Sequence, residues 1–521
     1  MAGGAASGRG AAARLAPRPA LLVALAAGAL LSLSFAPVGF WPLAIVAPAA
    51  LIRLWQGATP REAARLGFAF SFGTFATGTY WLYVSIHGFG QAPLWLALLL
   101  MLGLVSIMGL YHALLGWAVA RWLPPRGAWR WLAGVPALWL LMEWLRGWFL
   151  SGFSWLSLGY SQTDTWLAAL APLGGVYLLS ALLLLSAGAL VMLLQRDATS
   201  RERGAAAVAL LSPWLLAAGF GRIEWTQPAG AAVEVAVVQG AIPQDQKWLD
   251  ANRERTLELY AALTAQALGV PLIVWPEAAA PDLANNIVPY LRTMAALAGE
   301  RGSTLVMGVV RADRREGAAE TQYFNSVLAL GREFAFYDKH HLVPFAEFFP
   351  VPRFVRGWLR LMSLPYSDFT RGARVQAPLP AAGLQLATTI CYEDAYGSTQ
   401  LPVLAQATAL VNVTNDAWFG RSSARYQHLQ ISRMRAIEAQ RYMVRAANDG
   451  VSAVIGPHGE LVARAAEYTP TVLRARIVPR SGLPPYARLG NWPVVLLALG
   501  LLGWSIARGA AGRRRGGGAL A

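Results

Sequence analysis

Cysteine and lysine are almost missing from this 521-residue chain: there is one cysteine, Cys391, and of 44 basic residues only Lys247 and Lys339 are lysine. A single thiol excludes an intramolecular disulfide, so Cys391 is either inert packing or chemistry. The lysine scarcity reflects a bias toward arginine and makes each lysine a question, because a compact ammonium can approach a reacting atom where a broad guanidinium fork cannot. Charge of any kind is thin. Only 14% of residues are charged, against roughly 25% in an ordinary soluble domain, while 56% are apolar and the mean hydropathy is +0.41. One water-soluble domain throughout is excluded. The net charge of +16 could point to nucleic acid, but a nucleic-acid surface does not come with this much apolar sequence. A membrane protein fits the composition better.

Runs long enough to span a bilayer, about 20 residues at 1.5 Å each, fill residues 1–220 and recur in 491–521. Spans are predicted near 19–36, 41–54, 66–86, 92–120, 131–149, 166–194, 205–220 and 492–506. The second is short and carries Pro42 and Pro48, so parity has to be argued from charge. With a cytoplasmic N-terminus, alternate loops hold Arg9, Arg14 and Arg18, then Arg53, Arg61 and Arg65, then Arg121, Arg126 and Arg130, then Arg196, Arg201 and Arg203, and last Arg508 and Arg513 to Arg515. The opposite loops hold almost no basic residue except Arg146. This is the positive-inside pattern, and it predicts eight spans with both termini in the cytoplasm and residues 221–490 on the periplasmic side. Those residues carry 27 basic and 23 acidic side chains, so 12 of the 16 excess charges lie outside them and mark topology. Arginines, an apolar core and then Ser34-Phe35-Ala36 also allow a cleaved signal peptide, which Pro37 directly after the site disfavours.

Residues 221–490 alternate apolar, β-branched runs (233–238, 272–275, 304–310, 384–390, 409–413 and 451–455) with helical patterns (248–268 and 424–442), which predicts a layered α/β domain. Reactive groups in such domains gather at strand carboxyl ends, and three ends stand out. Glu277 follows a buried strand closed by Pro276, Lys339 follows a short aromatic strand in Phe336-Tyr337-Asp338, and Cys391 opens the Cys391-Tyr392-Glu393-Asp394 turn. A carboxylate, an ammonium and a thiol are the parts of a nucleophilic acyl-transfer site: the acid takes the thiol proton, and the ammonium stabilises thiolate and oxyanion. Singly, each has a plain reading as a packed thiol, a surface acid or a solvated cation; together on three strand ends they favour chemistry. Lys247, before Trp248 at a helix start, has no such context and is read as structural, as are His87 and His112. The six histidines show no metal-ligand spacing.

The Trp275-Pro276-Glu277, Tyr337-to-Glu347 and Cys391-to-Asp394 motifs, in that order, resemble the Glu–Lys–Cys site of the nitrilase (carbon–nitrogen hydrolase) superfamily over essentially all of 221–490. Flanking spans, Gln239 through Trp248, Asn415 through Gly420 and Glu143 through Gly147 narrow the resemblance to its membrane-embedded, lipoprotein-acylating members. What the resemblance implies is an αββα sandwich, with Glu277 as general base, Lys339 as oxyanion and thiolate stabiliser and Cys391 as nucleophile. Glu347 matches a further acid, and Trp248, Tyr392 and Glu393 match supporting positions. It also implies a bacterial inner-membrane enzyme that moves an acyl chain from a phospholipid, expected to be phosphatidylethanolamine, through a Cys391 thioester to the α-amine of a diacylated apolipoprotein, with no metal or diffusible cofactor.

The aromatic stretch 345–364, with interleaved Arg353, Arg356 and Arg360, reads either as an interfacial arm meeting headgroups or as an ordinary packed loop and helix. Glu143 and Arg146, three apart on one helical face near the outer end of a span, read as an anchor for the periplasmic part. Two rivals remain at this point: a membrane-tethered amidase that uses the same three residues with water as second nucleophile, and a transporter or scaffold with a non-catalytic domain.

Overall fold

A computed structural model of the chain describes residues 16–125, 127–314, 321–331, 334–348 and 369–517, with backbone only for 510–517. Helices Pro17–Leu31, Leu43–Leu54, Pro60–Gly78, Leu94–Trp122, Val135–Arg146, Ala171–Leu193 and Ser200–Phe220 precede the strands, and Trp492–Gly517 follows them. Each predicted apolar run overlaps one of these helices. Among the described residues, five stretches are long and apolar enough to cross a membrane: Pro17–Ser34, Leu94–Trp122, Trp166–Leu193, Ser200–Phe220 and Trp492–Gly509. Leu43–Leu54 and Val135–Arg146 are short at 12 residues each, and Pro60–Gly78 carries Arg61, Glu62 and Arg65 in its first turns.

Two of the few acids in this half start helices. Thr59 with Glu62, and Thr199 with Glu202, form reciprocal capping boxes that satisfy otherwise orphaned N–H groups. Packing between the first and third of these helices depends on small residues. A Cβ on Gly28 would lie 1.8 Å from the Phe70 carbonyl oxygen, so only glycine allows this approach.

The strands build two six-stranded sheets. One has the order β13-β2-β3-β4-β5-β6, with β2 Val233–Gln239, β3 Leu272–Val274, β4 Thr304–Asp313, β5 Gln322–Leu330, β6 Phe334–Asp338 and β13 Thr471–Ile477. The other has the order β12-β11-β10-β9-β8-β7, with β7 Leu379–Ala381, β8 Leu384–Ile390, β9 Ala409–Thr414, β10 Met443–Ala447, β11 Ala453–Ile455 and β12 Leu461–Arg464. A two-stranded ribbon pairs β1 Gln227–Pro228 with β14 Arg480–Ser481. The period of two decides the layers. Val235, Val237, Leu386, Val411 and Val413 meet between the sheets, whereas Ala236 and Val238 face outward to helices Arg253–Ala267 and Val288–Glu300. Leu410 faces outward to Leu429 and Ala436 of helix Ala424–Ala439. The result is the expected αββα sandwich.

Helix Ala424–Ala439 is buried on both faces, because its other side packs against the membrane-type helices through Ile431, Met434 and Ile437. Gln427 Oε1 accepts from Trp81 Nε1 at 3.1 Å and Trp155 Nε1 at 2.8 Å, and the Glu438 carboxylate accepts from Val176 N at 2.8 Å. Glu143 and Arg146 brace the connecting loop at this seam. Arg146 donates to the Phe153 and Trp155 carbonyls at 2.6 and 2.7 Å, and Glu143 accepts from Leu158 N at 3.1 Å. That loop then reaches the sandwich, where Ser154 Oγ donates to the Ala395 carbonyl at 2.8 Å.

Candidate active site

Three strand ends converge. Beyond β3, the Glu277 backbone presses against Gly308 of β4, where a Cβ would lie 2.5 Å from the Glu277 Cα, so glycine is required for this approach. Past β6, Lys339 is fixed by its N–H to the Asn325 carbonyl at 2.8 Å, and Asp338 before it is held by Arg311 at 2.6 Å. At the end of β8, Cys391 takes a left-handed backbone with φ 52°, a conformation a side chain other than glycine adopts only under constraint.

Lys339 is buried, with Nζ 2.8 Å from Glu347 Oε1 and 3.3 Å from Glu277 Oε1. Asn325 Nδ2 donates to both of those carboxylate oxygens, at 2.7 Å for Glu277 and 2.9 Å for Glu347. Glu277 Oε2 accepts from Asn415 N at 3.0 Å, and Glu347 Oε2 from Val343 N at 2.8 Å. Desolvation opposes charge on Lys339, but Glu347 and then Glu277 outweigh it and hold the ammonium above its ordinary range. Desolvation lifts the Cys391 thiol well above its usual value; Glu277 pushes the same way, while Lys339 and a hydrogen bond with Thr414 oppose. Burial thus favours the protonated thiol at Cys391.

Glu393 does not face this cluster. It ties the two loops that carry Lys339 and Cys391: Oε1 accepts from His340 N at 2.8 Å and His341 N at 3.0 Å, and Oε2 from Ile390 N at 2.9 Å and Tyr337 OH at 3.0 Å. Burial pushes its pKa up to about 7, against donors that all favour the carboxylate. Glu393→Gln puts an amide N–H against this ring of N–H donors. It is expected to cost about 1–3 kcal/mol of stability, the range for an unsatisfied buried polar group, and roughly 100-fold in turnover through displacement of the loops; thermal unfolding and initial rates check it.

Tyr392 turns away toward the membrane-type helices, where its hydroxyl hydrogen-bonds Tyr396, whose own hydroxyl donates to the Ser151 carbonyl at 2.8 Å. Trp248 is half-exposed and stands outside the polar cluster, with its ring 6.0 Å from Lys247 Nζ. Of the proposed arm, Phe345 to Phe348 are described, with Phe345 exposed and Phe348 under Arg371 at 4.8 Å; the rest, including Arg353, Arg356 and Arg360, lies outside the described residues.

Lys247, read from sequence as structural, belongs beside the site. It is buried, and its Nζ donates to the Glu277 main-chain carbonyl at 3.2 Å. Burial lowers its pKa to about 8 despite Glu277 and Asp449. Asn325 was also missed, its signal being an amide at a buried position of β5, while Asn415 and Gln244 lie in motifs that narrow the resemblance but were given no role of their own. Among the described residues no group of three or more His, Cys, Asp or Glu is arranged to hold a metal ion.

Comparison with known proteins agrees with this two-part organisation. Residues 27–189 match the apolipoprotein N-acyltransferase N-terminal domain, and residues 234–481 match the carbon-nitrogen hydrolase family. The chain is 41% identical over 492 residues to the apolipoprotein N-acyltransferase of Pseudomonas syringae pv. tomato, covering 94% of this chain and 96% of that one. It is 42% identical over 497 residues to the Azotobacter vinelandii protein of the same name, covering 94% and 95%. With the Methylococcus capsulatus protein of that name it shares 39% over 493 residues, covering 94% and 96%.

Proposed function

The chain belongs to the apolipoprotein N-acyltransferase family, and from that premise we propose that Cys391 carries an acyl group from a phospholipid to the N-terminal amine of a diacylated apolipoprotein. The protein is an acyltransferase that N-acylates apolipoproteins; the donor, the intermediate and the residue roles are our reading. One observation carries that reading: the only thiol of the chain shares its electrostatic surroundings with a buried Glu277–Lys339–Glu347 cluster.

In the first half-reaction, Glu277 accepts the thiol proton as Sγ attacks an ester carbonyl of the phospholipid, phosphatidylethanolamine in our proposal, at its sn-1 chain. Each carboxylate oxygen has two lone-pair positions, and Oε2 has one donor, so it keeps a place for the proton. The oxyanion forms beside the Lys339 ammonium, whose charge Glu347 maintains. Collapse breaks the ester C–O bond, the leaving alkoxide takes the proton from Glu277, and lysophospholipid departs, leaving a Cys391 thioester. In the second half-reaction the acceptor amine attacks the thioester, loses a proton to Glu277 and forms the amide; the thiolate leaves and recovers its proton. This is ping-pong transfer.

The physics of lipid substrates supports the attachment to membrane helices. Drawing a whole acyl chain out of the bilayer costs on the order of 10 kcal/mol at about 0.8 kcal/mol per CH₂, so the chemistry has to occur at the bilayer surface. In this reading eight helices span the bacterial inner membrane, both termini are cytoplasmic, which the arginine distribution supports, and residues 221–490 face the periplasm. Mass spectrometry of the intact protein after incubation with phospholipid tests the reading. One added acyl mass on Cys391, removed by a diacylated lipopeptide with formation of a triacylated product, is expected; no adduct, or hydrolysis of soluble amides in its place, overturns it.

A further inference from the structure

Behind the nucleophile lies a second buried cluster. His428, on helix Ala424–Ala439, is fully buried, and both its ring nitrogens face acceptors. Nδ1 is 2.8 Å from Asp416 Oδ1, and Nε2 is 3.0 Å from Asp394 Oδ1 and 3.2 Å from the Cys391 main-chain carbonyl oxygen. A neutral imidazole has one N–H and would set a lone pair against a carboxylate, whereas the doubly protonated ring satisfies both Asp394 and Asp416 as carboxylates. Arg445 of β10 balances the charge, donating to Asp416 Oδ2 at 2.8 Å and Asn412 Oδ1 at 2.7 Å. Two carboxylates thus face one guanidinium and one imidazolium, and no net charge is buried. The Trp155 ring of the membrane-side loop packs on the imidazole with centroids 5.6 Å apart.

The Cys391 carbonyl receives a second donor, Asn412 Nδ2 at 3.1 Å. A cysteine at φ 52° is in a region that L side chains rarely occupy, and such a conformation persists where its surroundings over-determine it. Asn412 Nδ2 and the His428 Nε2–H, which is shared with Asp394, both hold the peptide oxygen of the left-handed residue itself. We propose that His428 is a positioning residue for acyl transfer: wedged between Asp394 and Asp416, it donates to the Cys391 carbonyl and fixes the left-handed turn that aims the thiol at the Glu277–Lys339 cluster. The inference rests on Cys391 being the nucleophile.

The experiment measures thioester formation with phosphatidylethanolamine vesicles in His428→Met, His428→Gln and His428→Met/Asp394→Asn, alongside thermal unfolding. His428→Met is expected to slow the saturated rate about 100-fold, the scale of a 1 Å misplacement, with the half-saturating lipid concentration unchanged. His428→Gln keeps an N–H within reach of the carbonyl and is expected to recover about tenfold of that loss. His428→Met/Asp394→Asn restores charge balance without restoring the donor, so it is expected to regain thermal stability and remain slow. A double variant that recovers the rate, or a glutamine variant as slow as the methionine variant, assigns His428 a role in charge balance alone and overturns the proposal. A methionine variant as fast as the unaltered enzyme also overturns it, and if that variant does not fold, the double variant carries the same test. Failure of the unaltered enzyme to form the thioester sinks the nucleophile assignment itself, so the two failures are distinguishable.

Discussion

Replacing Cys391 with serine is expected to lower acyl transfer by about four orders of magnitude or more, the scale of losing an activated nucleophile, while the protein still folds. The exchange of sulfur for oxygen is small, and the Glu277–Lys339–Glu347 pairing is held independently by Asn325 and Asn415. The chemistry is what changes. A serine hydroxyl releases its proton far less readily than a thiol, and desolvation at this position already disfavours the anion. A carboxylate sharing its oxygens with Lys339, Asn325 and Asn415 is a weak base for such a proton. The acyl adduct expected on Cys391 should therefore be missing from the serine variant under the same incubation, with a thermal midpoint within a few degrees of the unaltered protein. An adduct of full yield in the serine variant would place the nucleophile elsewhere.

The three proposed reacting groups were legible because each lies at the end of a strand whose apolar period is plain in sequence, and the scarcity of cysteine and lysine isolated two of them. The supporting groups were not legible, for a physical reason. Periodicity tells which face of a strand a side chain takes but not which strand lies beside it. Asn325 reaches Glu277 only because β5 neighbours β4 in the sheet order, and His428 reaches the Cys391 carbonyl across 37 positions of chain. Lys247 shows the same limit. Its rarity marked it, yet its partner is a main-chain carbonyl 30 positions away, a contact set by how the loop after β2 crosses the end of β3. Each of the eight predicted apolar runs overlaps a helix, five described stretches being long and apolar enough to cross a membrane, but hydropathy said little of how the helices pack. The 166–194 run contains a break at Gly174 and Gly175, and Pro60–Gly78 packs through small residues rather than through bulk apolar side chains.

The second large effect is expected at Lys339, and it separates stability from catalysis. Lys339→Met removes the cation that pairs directly with both Glu277 and Glu347, leaving two buried carboxylates that share one donor, Asn325 Nδ2. Breaking a buried ion pair by deleting one partner costs about 3–5 kcal/mol, because the charges left behind stay desolvated without their counter-ion. The variant should unfold at markedly lower temperature and form no detectable thioester. Adding Glu347→Gln removes one of the two stranded charges and should recover most of the lost stability. It should recover none of the activity, because an amide gives the developing oxyanion no positive charge. The sign with pH follows from the raised pKa of Lys339. Its contribution to stability is fully present below the unfolded lysine value of about 10.4 and is lost only as pH rises through the higher folded value, so the stability gap between the unaltered protein and Lys339→Met should not shrink between pH 7 and 9 on account of this ammonium. Thermal unfolding of the single and double variants across that range, with thioester yield measured in parallel, checks each part. Recovery of activity in the double variant would show that Lys339 serves to neutralise Glu347 and not to stabilise the reacting oxygen.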